Sequence, residues 1–197
     1  MERIIKKYIK KQNEKNLHNL RIECRKKLSF LLKDGLSDEG CEKILKESSK
    51  LRDTDVMLKI CKSKKIFKIL KKRRKKLNKK FLKVLKTVKF NEIKAEKPVK
   101  TDLDTCKEIL KESFLIKNDK QLHKLRLKIK ACRYTNKKYE KEFKKIQDML
   151  GKAHDYYKCE KICKKMNKNF LYAYIKKRKF IIKAEKARKE ILSILPR

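Results

Sequence analysis

Glycine and proline, the residues that most often end helices, are nearly absent from this chain, which has three glycines and two prolines among 197 residues. Apolar residues recur three and four positions apart along almost its whole length, which is the period of an amphipathic helix. No stretch has the strict alternation of apolar and polar residues that is typical of a strand. The sequence therefore predicts an all-α fold.

One of the few breaks in this pattern lies at 33–40, which reads KDGLSDEG and contains two of the glycines. We expect one helix to end near Lys33 and the next to begin near Ser37, whose side chain would cap it, with Glu39 following. The first helix would then span about thirty residues. Polar residues at 13–16 favour a kink within it.

A second break lies at 91–101, in the middle of the chain. It contains Pro98, and Thr101 and Asp102 at its end are expected to cap the helix that follows. We interpret this stretch as a linker inside a single domain that covers the whole chain. The two halves that it joins are 1–95 and 100–197.

The two halves share three stretches in the same order, which indicates an internal duplication. The pairs are LHNLR (17–21) with LHKLR (122–126), the basic runs 70–74 and 175–179, and KLRDTD (50–55) with KAHDYY (152–157). The first two pairs are 105 positions apart and the third is 102 positions apart. Each half would comprise about four helices, so we expect two four-helix bundles related by a pseudo-two-fold axis.

Positive charge dominates the composition, because 63 Lys and Arg stand against 24 Asp and Glu, a formal net charge of +39. Solubility does not require such an excess, and self-repulsion makes it destabilising. Base bias and thermophily are alternative causes of a lysine-rich composition, but thermophily usually raises Glu together with Lys. We therefore expect a polyanionic partner.

Two rows of basic side chains border the apolar positions of their helices. Side chains three, four and seven positions apart share one face of a helix. The rows are His18, Arg21 and Arg25 in the first half, and His123, Arg126, Lys130 and Arg133 in the second. Cations beside a low-dielectric core repel one another unless an anion neutralises them, so the rows favour an anion-binding site over a solvated face.

Further charged groups lie outside these rows. We expect the basic runs at 71–76 and 176–179 to widen the positive surface. Their secondary basic residues are Lys72, Arg73, Lys177 and Arg178. Asp53 and Asp155 follow Arg52 and His154 in the chain. We expect these carboxylates to cap helices or to pair with cations, with carboxylate catalysis as the alternative.

The seven cysteines lie without the Cys and His spacing of a zinc site. We interpret them as small buried residues in a reducing compartment and leave open whether any form disulfides. The charged N-terminus has no apolar segment typical of a secretory signal. The longest stretch without a charged residue, 169–175, is too short to span a bilayer. We expect a cytoplasmic protein without metal, cofactor or membrane contacts.

Four motifs in this order resemble the CHAD family, the conserved histidine α-helical domain. They are His18-x-x-Arg21 followed by 25–27, LRDTDV at 51–56, His123-x-x-Arg126 with Lys130, Arg133 and Tyr134, and LGKAHD at 150–155. The resemblance covers essentially the whole chain. It implies two four-helix bundles with a pseudo-two-fold axis, enclosing a basic central cavity or pore that binds inorganic polyphosphate.

The resemblance also implies which side chains would line that cavity. They are His18, Arg21, Arg25, Lys26, Arg52, His123, Arg126, Lys128, Lys130, Arg133 and His154. Glu23 and Leu28 stand where the second half has Lys128 and Arg133. The first half would therefore supply fewer cations, and the cavity would be asymmetric.

Non-catalytic binding of inorganic polyphosphate is the leading functional hypothesis. The alternative is nonspecific binding to the backbone of DNA or RNA, which any protein of this charge attracts. Aromatic residues make up 8% of the chain and are not interleaved with the basic rows as stacking platforms would be. The third hypothesis is an enzyme that acts on polyphosphate or nucleotides. Asp53 and Asp55 are its weak candidates for binding a catalytic metal, and the sequence has no P-loop. The oligomeric state stays open.

Overall fold

A computed structural model describes residues 1–95 and 102–196, with only the backbone described at Lys33. Most of the described chain is helical, which confirms the predicted fold class in its coarse form. The chain divides into two compact units, Met1–Pro98 and Val99–Arg197. Pro98 and Thr101, named above as a break and a cap, lie outside the described residues.

The first unit contains five α-helices within its described residues. They are α1 (Glu2–Lys10), α2 (Glu14–Leu31), α3 (Glu39–Glu47), α4 (Ser49–Ile60) and α5 (Lys64–Thr87). Their apolar faces form one core that includes Tyr8, Leu17, Leu20, Ile44, Leu51 and Phe81. A single 3₁₀ turn, Leu32–Asp34, follows α2, and Gly35 ends it in the left-handed conformation with φ 71°.

The long first helix expected from the sequence is in fact two helices. Asn13 caps α2 by accepting a hydrogen bond from the backbone N–H of Asn16 at 2.8 Å. The side-chain amide of Asn16 in turn donates to the carbonyl oxygen of Lys11 at 2.8 Å. Because these amides satisfy backbone groups at both helix ends, they stabilise a complete break where a kink was expected.

The expectation that the chain contains no strand is wrong for the first unit. Strand β1 (Leu36–Asp38) pairs antiparallel with strand β2 (Glu92–Lys94), which lies within the stretch expected to be a linker. Three-residue strands are too short for an alternating pattern to be recognised. Gly40 permits the return segment to pass closely, because a Cβ there would lie 2.4 Å from the carbonyl oxygen of Lys89.

Helix α3 is capped by Asp38, where the sequence suggested Ser37. The carboxylate of Asp38 accepts a hydrogen bond from the backbone N–H of Cys41 at 2.6 Å and an ion pair from Lys27 at 2.6 Å. Ser37 instead donates to the side chain of Glu42. The cap therefore also ties α3 to α2, on which Lys27 lies.

The second unit contains four α-helices within its described residues. They are α6 (Leu103–Lys111), α7 (Asp119–Thr135), α8 (Glu140–Lys165) and α9 (Leu171–Ile194). Helix α8 packs against both α7 and α9, and the core includes Leu110, Phe114, Ile129, Phe143, Ile146 and Ala184. Asp102 caps α6 as predicted, by accepting from the backbone N–H of Thr105 at 2.6 Å.

A buried ion pair fixes the turn between α6 and α7. The guanidinium of Arg188 donates to both carboxylate oxygens of Glu185, at 3.0 and 2.6 Å. It also donates to the carbonyl oxygen of Leu110 at 2.6 Å, while Glu185 accepts from the backbone N–H of Phe114 at 2.8 Å. These bonds satisfy backbone groups where α6 ends and the next turn begins.

A disulfide joins Cys106 of α6 to Cys132 of α7. The sequence left open whether any cysteines form disulfides, and this pair does, because the contact between α6 and α7 brings the two residues together. Cys24, Cys41 and Cys163 are buried thiols. No helix of the described residues is long and apolar enough to cross a membrane.

We expect the double variant Cys106→Ala with Cys132→Ala to lower the free energy of unfolding by about 3 kcal/mol, because the disulfide closes a loop of 26 residues. Urea unfolding followed by circular dichroism measures the loss, and peptide mapping without reductant identifies the cross-link. The matched control is Cys24→Ala with Cys41→Ala, which removes two buried sulfur atoms but no disulfide. Equal losses in the two variants would contradict the prediction.

Candidate anion-binding site

In the first unit, cationic side chains from two helices surround His18. Arg21 and Arg25 follow it on α2, and Arg52 approaches from α4. Partial burial, together with the positive charges of Arg52 and Arg25, holds the pKa of His18 below its usual range, although much of the ring is open to solvent. Only the family resemblance indicated that Arg52 would lie near His18. In the structure the charge of Arg52 helps to lower the pKa of His18.

Arg52 is held by an acidic residue of the neighbouring helix. Its guanidinium lies 2.5 Å from one carboxylate oxygen of Glu14, and Lys59 lies 2.8 Å from the other. Burial acts to raise the pKa of Glu14, but hydrogen bonds from Lys59 and Arg52 outweigh it and lower the pKa. Any anion that binds Arg52 therefore competes with Glu14.

Arg21 is buried, with 8% of its surface exposed. It donates to the carbonyl oxygen of Leu45 at 2.7 Å and to the hydroxyl of Ser48, which in turn donates to Ile44. Burial, with the nearby charges of Arg25 and Arg52, lowers its pKa to about 10. Arg21 thus stabilises the carbonyl end of α3, a contact that the sequence did not predict.

The other basic residues of the α2 row are exposed to solvent. Arg25 is close enough to His18 and Arg21 for its charge to lower both of their pKa values. Lys26 pairs with Glu23 of the same helix at 2.8 Å. An exposed ion pair of this kind contributes little to stability, so Lys26 can exchange Glu23 for another anion.

In the second unit, two imidazoles stack where α7 packs against α8. The ring centroids of His123 and His154 lie 4.5 Å apart, with 26° between the ring planes. The ring of Tyr157 follows one helical turn later, 6.1 Å from that of His154. Nδ1 of His123 is buried and has no hydrogen-bond partner among the described residues.

Arg126 lies one turn beyond His123 on α7 and packs against Gly151 of α8. A Cβ at Gly151 would lie 3.2 Å from Nε of Arg126, so the glycine leaves space for the guanidinium. That Nε is also buried and without a partner in the part of the chain that the structure describes. We call His123, Arg126, Gly151 and His154 the histidine cluster.

The remaining cations of the α7 row are directed elsewhere. Both Nε and one terminal nitrogen of Arg133 donate to Glu140, at 3.3 and 3.1 Å. Lys130 is exposed and lies over the ring of Tyr134, 5.6 Å from its centroid. The guanidinium of Arg133 lies over the same ring at 5.1 Å.

Lys128 does not share the face of His123. Five positions along an α-helix turn a side chain by about 140°. Lys128 lies near the end of α6, where hydrogen bonding from Lys117, with a smaller effect of the Lys128 charge, lowers the pKa of Glu112. The family resemblance implied that Lys128 lines the same cavity as His123. Lys128 therefore does not belong to the histidine cluster.

Lys177 departs from the expectation that it belongs to an exposed basic surface. It is 6% exposed, and its Nζ lies 2.8 Å from Glu160 and 3.1 Å from Asp119. The helix period places it on the side of α9 that faces the core. The other secondary basic residues, Lys72, Arg73 and Arg178, are exposed.

The carboxylates considered for catalysis have structural contacts. Asp55 is buried and lies 2.5 Å from Nε of Arg74 on α5. Burial raises the pKa of Asp55 despite this partner. The charge of Asp53 acts on Arg21. Among the described residues, no group of three or more His, Cys, Asp or Glu side chains is arranged to hold a metal ion.

No protein-family model, no curated protein and no solved structure matches this chain. The assignment of these residues to a ligand therefore rests on their chemistry and on the sequence motifs.

We expect Arg21→Met to lower the free energy of unfolding by about 3 kcal/mol, because it leaves buried carbonyl and hydroxyl groups without their donor. Arg25→Met removes the same charge from an exposed position and should cost about 0.5 kcal/mol or less. Urea unfolding of both variants measures the difference. Comparable losses would mean that Arg21 does not stabilise the end of α3.

Proposed function

We propose that this protein binds inorganic polyphosphate without cleaving it, and that it is related to the CHAD family whose motifs it resembles. The observation that carries the proposal is the histidine cluster, in which two stacked imidazoles lie beside an arginine. Nδ1 of His123 and Nε of Arg126 have no hydrogen-bond partner among the described residues. Unused hydrogen-bonding capacity at buried nitrogens is costly, and a ligand that accepts from it would be stabilised.

A phosphate group fits this chemistry. The planar guanidinium of an arginine can donate to two phosphate oxygens at once, and a protonated imidazole donates from both of its nitrogens. Stacked imidazoles repel each other when both are protonated, and a bound polyanion would offset that repulsion. Gly151 leaves the space that the guanidinium of Arg126 occupies.

The first unit offers a second group of cations. Arg25 and Arg52 act on His18, and Arg52 with Lys59 already binds a carboxylate, that of Glu14. Polyphosphate carries about one charge per phosphate, so one chain can contact several such cations and release the counterions condensed on it. Binding should therefore weaken steeply with added salt and with shorter chains.

Single-stranded nucleic acid remains the second candidate, and one observation favours it. Tyr134 is half exposed on α7, and Lys130 and Arg133 lie over its ring. Aromatic rings among cations are typical of base-stacking platforms. This arrangement was missed in the sequence, where the aromatic residues were not found interleaved with the basic rows.

The proposal is for binding without catalysis, since Asp55 of the candidate carboxylate pair is buried against Arg74. An assay for phosphate release with Mg²⁺ or Mn²⁺ tests this part. Release that is abolished by Asp53→Ala would overturn it.

We expect His123→Ala with Arg126→Ala to weaken binding of long-chain polyphosphate by about a hundredfold, the effect of losing two charge-assisted contacts. Fluorescence anisotropy of labelled polyphosphate at fixed salt measures it. The control, Lys72→Ala with Arg73→Ala, removes two exposed cations and should change the affinity about threefold or less. Circular dichroism verifies that both variants fold.

Equal losses in these two variants would mean that diffuse charge, and not the histidine cluster, binds the ligand. Competition separates the two candidates. Displacement of labelled polyphosphate by single-stranded RNA or duplex DNA at comparable phosphate concentration would contradict specificity for polyphosphate. Equal affinity for triphosphate and for long chains would count against a chain-binding site.

We expect polyphosphate binding to strengthen as the pH falls from about 8 to about 6, across the ordinary range of histidine. The pKa of free His18 is lowered by burial and by nearby arginines, and a bound polyanion would raise it, so binding takes up protons. Nuclear magnetic resonance titration of His18, with and without polyphosphate, measures the change. A pH dependence that survives His18→Ala, His123→Ala and His154→Ala together would assign the histidines a structural role.

A further inference from the structure

An apolar stripe runs along the outer face of α9. It consists of Leu171, Tyr174, Ile175 and Ile182, which are between 42% and 56% exposed, and the exposed Arg178 lies on the same face between Ile175 and Ile182. On an α-helix these four positions fall within an arc of about 100°. They extend over about 16 Å of helix.

The stripe faces away from the core of its unit. The buried residues of α9 include Ala173, Ala184, Ala187 and Ile191, which lie on the opposite side of the helix. Exposed apolar residues are ordinary when they are scattered, but a row of them opposite the core is not needed for folding. A surface helix normally carries polar residues there. The stripe is therefore typical of an interaction surface.

Positive charge predominates around the stripe, although Asp119 of α7 contacts Lys177. No Asp or Glu occurs in the sequence between Glu160 and Glu185. Glu160 is itself buried, in contact with Lys177 and Lys164. The exposed cations of this stretch include Lys168, Arg178, Lys179 and Lys183. A partner for this surface must be both apolar and anionic.

We propose that this face of α9 binds the surface of a bilayer that contains anionic lipids. Aliphatic side chains would enter the boundary of the acyl chains, Tyr174 would lie at the headgroups, and lysines would contact lipid phosphates. The sequence analysis expected no membrane contact because no segment is long enough to span a bilayer. A surface contact does not require a spanning segment, and the uncharged stretch 169–175 forms the start of the proposed surface. The proposal rests on residues outside the histidine cluster.

Single-stranded nucleic acid fits the stripe less well. Leu171, Ile175 and Ile182 are more exposed than Tyr174, and aliphatic side chains offer no face on which bases stack. A bilayer boundary accommodates all four.

A single fluorophore tests the contact, because the chain contains no tryptophan. With Tyr174→Trp in the full chain, vesicles of equal parts phosphatidylcholine and phosphatidylglycerol should shift the emission to the blue, whereas phosphatidylcholine alone should not. The matched control is Tyr134→Trp, since Tyr134 is 52% exposed on α7 of the same unit. Absence of the shift, or an equal shift at both positions, would overturn the proposal.

A triple variant separates apolar insertion from general attraction by charge. Leu171→Ser, Ile175→Ser and Ile182→Ser leave the net charge unchanged and should reduce partition into the anionic vesicles about tenfold or more. Ile116→Ser with Leu127→Ser alters exposed apolar residues elsewhere in the unit and should leave it unchanged.

Two further outcomes would overturn the assignment to a lipid surface. If the triple variant keeps vesicle binding but loses self-association in sedimentation velocity, the stripe binds a second copy of the chain. If it loses only the binding of single-stranded RNA, the surface is a nucleic-acid interface. Polyphosphate binding of the same variant should be normal, so this test and that of the proposed function can fail separately.

Discussion

Buried positive charge is the constraint under which the helices of this protein pack. Each buried cation has either a carboxylate or the carbonyl end of a helix as its partner: Arg21 has the end of α3, and Arg188 has both Glu185 and the end of α6. Lys177 has Glu160 and Asp119. Such contacts offset the cost of removing charge from water, and losing one partner of a pair is more damaging than never having the pair. Among the described residues four carboxylates are buried, Asp38, Asp55, Glu160 and Glu185, and most of the other acidic residues are exposed to solvent.

The helices could be predicted because they depend on local pattern. Apolar spacing and the Asp102 cap are properties of a few neighbouring residues. If α3 and α4 are counted as one helix, the described residues of each unit form four helices in the same order, so that α1 matches α6, α2 matches α7, α3 with α4 matches α8, and α5 matches α9. The two-stranded sheet could not be predicted, since β1 and β2 are short and their pairing joins distant segments.

The site could be predicted in part, for the same reason. Helical spacing correctly placed His123 and Arg126 on one face, and the motif LGKAHD placed Gly151 one turn before His154. Spacing alone cannot tell which cation of a row faces a carboxylate of another helix, as Arg133 faces Glu140. The helix period does place Lys177 on the core side of α9, but the sequence analysis interpreted its basic run as an exposed surface. The Cys106–Cys132 disulfide depends in the same way on how α6 meets α7.

Glu14 gives the first unit a counterion of its own. It joins Arg52 of α4 to α2 while Lys59 binds its other oxygen, so one carboxylate partly neutralises two cations before any ligand arrives. A lone small anion would merely exchange one carboxylate for one phosphate, with little net gain in free energy. A chain of linked anions can displace Glu14 at one end while holding further cations with its other charges. If the protein binds polyphosphate as proposed, this internal competitor would favour ligands with several linked charges over small anions.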